Sequence, residues 1–258
     1  MRTDILKGQR AIVTGGASGI GRAIAGLFRE QGATVVVADL NGEAAAQAAR
    51  ELGAEQGHAK AVQVDVANEA SIKAMVDAAV QHMGGVDVLV NCAGVPQVYT
   101  VIEDLLEAQW DRIVGVNSKS VFLACKHVVP HMKAQGSGGA IVNIGSIVGV
   151  RPKAGQNAYC ASKAATIALS QSLAVELAPA QIRVNVVNPG AAETPMLAGF
   201  VPPSDKPLDE VKKTFASNIP LGSLIQPEDI AEAALYLASS LSRRVTGAVF
   251  NVDGGRGV

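Results

Sequence analysis

Aromatic residues are scarce in this 258-residue chain: Phe, Trp and Tyr make up 3% of it, with one tryptophan, Trp110. An interior with few rings has to be built from Ala, Val, Ile and Leu, and 48% hydrophobic residues are enough for one large core. Charge of one sign is lacking too. Twenty-two Lys and Arg against 23 Asp and Glu leave a net charge of −1, which implies no nucleic-acid partner. Cysteine is limited to Cys92, Cys125 and Cys160, an odd number without a CxxC. That argues against a disulfide framework and for a reducing, cytoplasmic setting. No run of about eighteen apolar residues occurs, and the opening MRTDILKGQR mixes charge with its few apolar residues, so neither a membrane span nor a signal peptide is expected. His58, His82, His127 and His131 have no metal-ligand spacing, and no metal is expected.

What is present is an alternation. Short β-branched runs at 10–15, 34–39, 60–66, 86–91, 140–146, 182–190 and 247–252 take turns with Ala-rich stretches of helical spacing at 20–31, 42–52, 69–83, 158–177 and 227–239. Strand and helix in this order predict an α/β fold, a doubly wound sheet of about seven parallel strands with right-handed crossovers. Residues 1–258 read as one domain with no internal repeat. The stretch from about 190 to 220, which contains VPPSDKP, is too long for an ordinary connection of ~2–6 residues. It is expected to be an irregular insertion over a substrate site.

Two stretches carry chemistry. TGGASGIG (14–21) follows the first strand and opens a helix, and Gly15, Gly19 and Gly21 suit a tight turn, close backbone approach to a pyrophosphate and a helix N-terminus aimed at it. Such a turn alone is weak evidence, but Asp39 at the end of the second strand adds a carboxylate that suits a ribose diol and repels a 2′-phosphate. YCASK (159–163) sets Tyr159 and Lys163 one helical turn apart on the same face.

With these motifs in this order, the sequence resembles the single-domain short-chain dehydrogenase/reductase family over residues 8–255. The resemblance rests on TGGASGIG, the DV of 65–66, NCAG (91–94), Asn117, Ser146, YCASK, NPGAAETPM (188–196) and VDGG (252–255). It implies a Rossmann-type fold and a catalytic tetrad of Asn117, Ser146, Tyr159 and Lys163. It also implies an NAD site: Gly15, Ser18, Gly19, Ile20 and Gly21 under the pyrophosphate, and Asp39, Leu40, Asp65 and Val66 around the adenosine. Asn91, Ala93, Gly94, Tyr159 and Lys163 would lie along the nicotinamide-side ribose, with Pro189, Gly190 and Thr194 at the carboxamide. The family's usual Asn-Asn-Ala-Gly is Asn-Cys-Ala-Gly here, with Cys92 in second place.

The implied reaction moves a hydride between NAD(H) and a small-molecule secondary alcohol or ketone. Tyr159 would be the acid/base, its phenolate favoured by the Lys163 charge. Ser146 would position the substrate oxygen, and Asn117 would hold a water connecting Lys163 to solvent. An NADPH-dependent 3-ketoacyl-carrier-protein reductase is the alternative enzyme, against which Asp39 and Ser18 weigh; a catalytically dead nucleotide-binding regulator is the alternative of another class. Val95, Gln97, Val148 and Gln156 are pocket candidates, and Trp110 reads as a helix anchor. The family likeness and the Ala-rich helices point to a homotetramer with contacts near 104–133, 158–177 and 247–252.

Overall fold

The computed structural model describes residues 4–201 and 208–258; part of VPPSDKP therefore lies outside the described residues. All seven expected strands form: β1 (Arg10–Thr14), β2 (Thr34–Asp39), β3 (Ala59–Gln63), β4 (Val88–Asn91), β5 (Gly139–Ile144), β6 (Ile182–Pro189) and β7 (Val249–Val252). They pair in parallel in the order β3-β2-β1-β4-β5-β6-β7. The order reverses between β1 and β4, and the carboxyl ends there open a crevice suited to a ligand.

The helices are α1 (Gly19–Glu30), α2 (Gly42–Glu51), α3 (Glu69–Met83), α4 (Glu107–Val114), α5 (Ser120–Gln135), α6 (Asn157–Leu177), α7 (Leu208–Ala216) and α8 (Pro227–Ala238). They cover both faces because alternate strand residues point to opposite sides and both sets are apolar. Val35 and Val37 pack with Ile24 and Phe28 of α1 and Ile230 and Leu237 of α8, whereas Val36 and Ala38 pack with Ile72 and Met75 of α3 and Leu123 and Val128 of α5.

Three boundaries bear on function. β3 stops at Gln63, before the expected 66: Val64 still donates its amide to the Asp39 carbonyl, but the Asp65 side chain then accepts the Ala67 amide and turns the chain out of the sheet. Asp65 and Val66 thereby stand beyond the strand's carboxyl end. Between α4 and α5 the helix widens into a π turn, Gly115–Lys119, with Asn117 at its centre; such turns concentrate at functional sites. The 190–220 insertion is more regular than expected. A 3₁₀ segment, Pro195–Phe200, and α7 lie within it, and Ala192 bridges to Ile225 at its base. Its apolar residues Leu197 and Ile219, with Leu224 just beyond it, bury against Ala191 as a small separate core.

Candidate active site

One cleft of about 560 Å³ runs across the carboxyl ends of the strands and collects nearly every residue that the motifs singled out. Gly15, Ser18, Gly19, Ile20 and Gly21 line it from the first turn, Asp39, Leu40, Asp65 and Val66 from the ends of β2 and β3, and Ala93 and Gly94 from the end of β4. Ser146, Tyr159, Lys163, Pro189, Gly190 and Thr194 close it on the other side.

The glycines are there because side chains do not fit. Gly15 has a φ of +64°, and a Cβ on it would stand 2.9 Å from the Ala93 Cα. A Cβ on Gly21 would fall on the Gly15 carbonyl oxygen. The turn is pinned by Asp39, whose carboxylate accepts the Ala17 amide at 3.1 Å and the Asn41 amide at 3.0 Å. Leu40 is 67% exposed beside it, an apolar residue held out at the cleft's edge. Thr14 accepts the amides of Cys92 and Ala93 at 3.0 and 3.2 Å, which joins the first turn to the β4 end. At the far side, Thr194 caps the 3₁₀ segment without a side-chain hydrogen bond, leaving its hydroxyl for the cleft. A backbone cradle without room for Cβ atoms, a carboxylate at one end and a free hydroxyl at the other fit a dinucleotide.

Ser146 follows β5, with its Oγ 3.4 Å from the Val148 amide. Tyr159 and Lys163 come from the first turns of α6, both buried. The Tyr159 ring packs edge-on to Phe200 at a centroid distance of 5.0 Å, so the insertion covers it. Lys163 Nζ donates to the Ile144 carbonyl at 2.8 Å and lies 5.8 Å from the Tyr159 ring centroid. Burial pushes the Tyr159 phenol up to about 12, partly opposed by the Ser146 hydroxyl, and pushes Lys163 down to about 8. The structure therefore shifts the phenol up, where the Lys163 charge was expected to draw it down: desolvation is the largest cause, and the Lys163 ammonium is turned to the Ile144 carbonyl.

Two expected residues do not line the cleft. Asn91 was expected at the nicotinamide-side ribose, but its side chain donates to Asn143 at 2.8 Å, Asn143 donates to Ser170, and Ser170 donates to the Thr166 carbonyl, a buried polar ladder from β4 to α6. Asn117 also points inward. Its Oδ1 accepts the Val95 amide at 2.8 Å, and its Nδ2 donates to the Val95 carbonyl and to Ser162 Oγ. In both cases an amide side chain was needed to satisfy buried backbone or polar groups. Among the pocket candidates Val95, Val148 and Gln156 line the cleft, whereas Gln97 does not: its Oε1 accepts the Tyr159 amide at 2.9 Å, and its buried Nε2 has no partner among the described residues. Trp110, expected as an anchor, is 38% exposed on α4. Phe200 and Phe215 bring the expected 190–220 insertion onto the cleft wall, and Arg112, Lys153 and Arg256, which sit in no motif, join it only through folding.

The three cysteines are free, and burial pushes the thiols of Cys92 and Cys125 up to about 12. These two and Tyr159 keep their protons in the fold while the unfolded chain, with values near 9 and 10, releases them; stability present below about pH 9 is therefore lost as pH rises toward 12. Lys163 acts oppositely between about 8 and 10.5, where the unfolded chain binds the extra proton. Thermal melts are expected to fall from pH 9 to 10.5, and the gap between wild type and Cys125→Ala is expected to narrow over the same range. A constant gap would contradict the buried-thiol account.

Among the described residues no cluster of His, Cys, Asp and Glu suits a metal, and no helix is long and apolar enough to cross a membrane. A family model described as Enoyl-(Acyl carrier protein) reductase matches residues 15–256. The chain is 44% identical to 4-formylbenzenesulfonate dehydrogenase of Comamonas testosteroni over 98% of its length and 99% of that protein's. It is 43% identical to cis-4-hydroxycyclohexanecarboxylate dehydrogenase of Sinomonas cyclohexanicum over 95% of each. The crystal structure of 3-ketoacyl-(acyl-carrier-protein) reductase from Brucella melitensis complexed with NADH superposes with a TM-score of 0.91 at 39% identity, covering 98% of this chain and 100% of that one. Likeness of this extent in sequence and fold makes the protein an oxidoreductase of the nicotinamide-dependent class. It belongs to the short-chain dehydrogenase/reductase family.

Proposed function

We propose that the protein interconverts a secondary alcohol and its ketone with NAD(H), using Tyr159 as acid/base. The observation that carries this reading is the convergence of Ser146, Tyr159 and Lys163 on one cleft with the glycine turn and Asp39. The glycine turn, Asp39 and Thr194 would hold a nicotinamide dinucleotide, which would supply the hydride acceptor for oxidation and the donor for reduction. In oxidation the C–H bond breaks as the C=O forms, and the hydroxyl proton passes to the Tyr159 phenolate; reduction runs these transfers backward. Ser146 would orient the substrate oxygen, because a second hydrogen bond fixes the reacting atom. Lys163 would bear on the cofactor ribose and on Tyr159. Asn117 and Asn91 are positioning residues, the one fixing the Val95 backbone and the other joining β4 to the α6 side. Spectroscopic assay of NADH with a panel of cyclic alcohols, polyols, hydroxysteroids and 3-hydroxyacyl thioesters tests the reading; no turnover of any member, in either direction and with either cofactor, would refute it and favour a nucleotide-binding regulator. The two dehydrogenase relatives are named for ring compounds, which supports a compact cyclic substrate.

A 3-ketoacyl-carrier-protein reductase is the second reading, favoured by the Brucella enzyme at 39% identity. That reductase is complexed with NADH in its crystal structure, so a preference for NAD(H) does not by itself weigh against it; the thioester arm of the panel decides. Cofactor choice has its own test. Asp39 lines the cleft as a carboxylate, and Ser18 supplies no cation against it, so a 2′-phosphate would meet like charge. NADH is expected to give the larger kcat/KM in wild type, and Asp39→Ala is expected to narrow the gap; a wild-type preference for NADPH would overturn this.

We also propose a homotetramer built on α4 and α5 with α6 and β7, a reading supported by the exposed apolar side chains of Leu106 at the α4 N-cap, Trp110 on α4 and Phe122 on α5. Sedimentation is expected to give four chains, and a stable monomer at micromolar concentration would refute it. The three free thiols support a reducing compartment such as the cytoplasm.

A further inference from the structure

The charged groups of the cleft are sorted along the sheet. Its acidic residues, Asp39 and Asp65, stand at the ends of β2 and β3, on the adenosine side. Its other cations besides Lys163 are Arg112, Lys153 and Arg256, on α4, before α6 and after β7, on the side of Ser146 and Tyr159. Among the described residues none of these three makes an ion pair or a side-chain hydrogen bond; the partner of Lys153 is the Phe215 ring, with Nζ 5.5 Å from its centroid. Asp253, three positions before Arg256, uses Oδ1 on the Gly255 amide, and its Oδ2 has no partner and faces Gly257.

Two of the cations are anchored to the reacting groups. Cys160, next to Tyr159, accepts the Lys153 amide at 3.4 Å and donates to the Lys153 carbonyl, which ties the lysine to the start of α6. The tail carrying Arg256 packs its Gly257 on Ile147, beside Ser146. Arg256 and Lys153 are close enough that the arginine's charge, after desolvation, helps lower the lysine's pKa. Both line the one cleft and neither is ion-paired among the described residues, so an anion between them would offset their repulsion. Beside them Gln156 is 5% exposed, lines the cleft and makes no side-chain hydrogen bond among the described residues. The rest of this half is apolar: Val95, Val148, Phe200 and Phe215.

We propose that the substrate is a secondary alcohol or ketone whose compact apolar body carries a carboxylate or sulfonate, and that Lys153 and Arg256 bind this anionic group while Gln156 hydrogen-bonds the body or its acid. The inference rests on the alcohol/ketone reading and narrows its substrate class.

The test compares matched pairs with the full-length enzyme and NAD⁺: 3- and 4-hydroxycyclohexanecarboxylate against their carboxamides, the corresponding hydroxycyclohexanesulfonates, and plain cyclohexanol. In wild type the acids are expected to exceed the amides in kcat/KM by about tenfold or more, the span of one charge-assisted contact. The ratio is expected to collapse to about one in K153Q/R256Q and to shrink with added salt in wild type, a readout that needs no variant to fold. The larger of the carboxylate and sulfonate ratios identifies the acid. Amides as good as the acids, an acid preference that survives in K153Q/R256Q, or a 3-hydroxyacyl thioester outrunning every acid would overturn the proposal. If cyclohexanol turns over while the acids gain nothing, the anion site fails and the reaction stands. If no alcohol turns over, the reaction reading fails, and calorimetric binding of cyclohexanecarboxylate against cyclohexanecarboxamide still decides the anion site.

Discussion

Tyr159→Phe is expected to lower turnover by ~10² to 10⁴, the range for losing a general acid/base, while NADH binding survives. The ring keeps its edge-on contact with Phe200 and its place on α6, so only the hydroxyl is removed. The pH profile separates this role from a structural one. Burial holds the Tyr159 phenol at about 12 in the structure, and alcohol oxidation needs the phenolate, so its rate is expected to climb with pH through the neutral and alkaline range. Reduction needs the neutral phenol and is expected to stay flat over the same range. The apparent pKa in oxidation should fall below 12, because the positive ring of the oxidised nicotinamide favours the phenolate; the displacement measures that charge. Near wild-type turnover of an accepted alcohol by Tyr159→Phe would end the mechanism.

Gly21→Ala is expected to abolish useful cofactor binding. The added Cβ falls on the Gly15 carbonyl oxygen and within 2.7 Å of its carbon, and Gly15 cannot retreat because it stands against Ala93. Relief means opening the turn, and an overpacked site costs about 1–3 kcal/mol before any lost pyrophosphate contact is counted. NADH affinity by fluorescence titration is expected to drop ~10²-fold or more, with far-ultraviolet circular dichroism unchanged. Gly26→Ala, in the same helix, meets only the Arg22 guanidinium at 3.8 Å and serves as the control. Equal affinity in Gly21→Ala and wild type would show that the turn does not carry the pyrophosphate.

How much of this was legible in advance differs from element to element. The seven strands were readable because β-branched runs buried on both faces leave an unbroken apolar signal, and each run was found within a few residues. The ends were less legible. Whether β3 stops at 63 or 66 depends on which backbone groups the Asp65 side chain captures, a hydrogen-bond outcome with no apolar signature. The insertion was visible as excess length, but its 3₁₀ and α segments were not, since much of their apolar surface buries in a small core of its own, apart from the sheet.

The site divides in the same way. Glycine turn, Asp39, Tyr159 and Lys163 were legible in the sequence itself, because each demand is local: no room for a Cβ, a carboxylate at a strand end, a phenol and an amine one turn apart; Ser146 was legible only through the family resemblance. Tertiary structure alone decided what those groups experience. It buried Tyr159 under Phe200, turned the Lys163 ammonium to the Ile144 carbonyl, and spent Asn91, Asn117 and the Gln97 carbonyl on internal bonds. It also brought Lys153 and Arg256, far apart in the chain, onto one wall. Desolvation and charge proximity depend on three-dimensional distance, and no short-range pattern in a sequence records that.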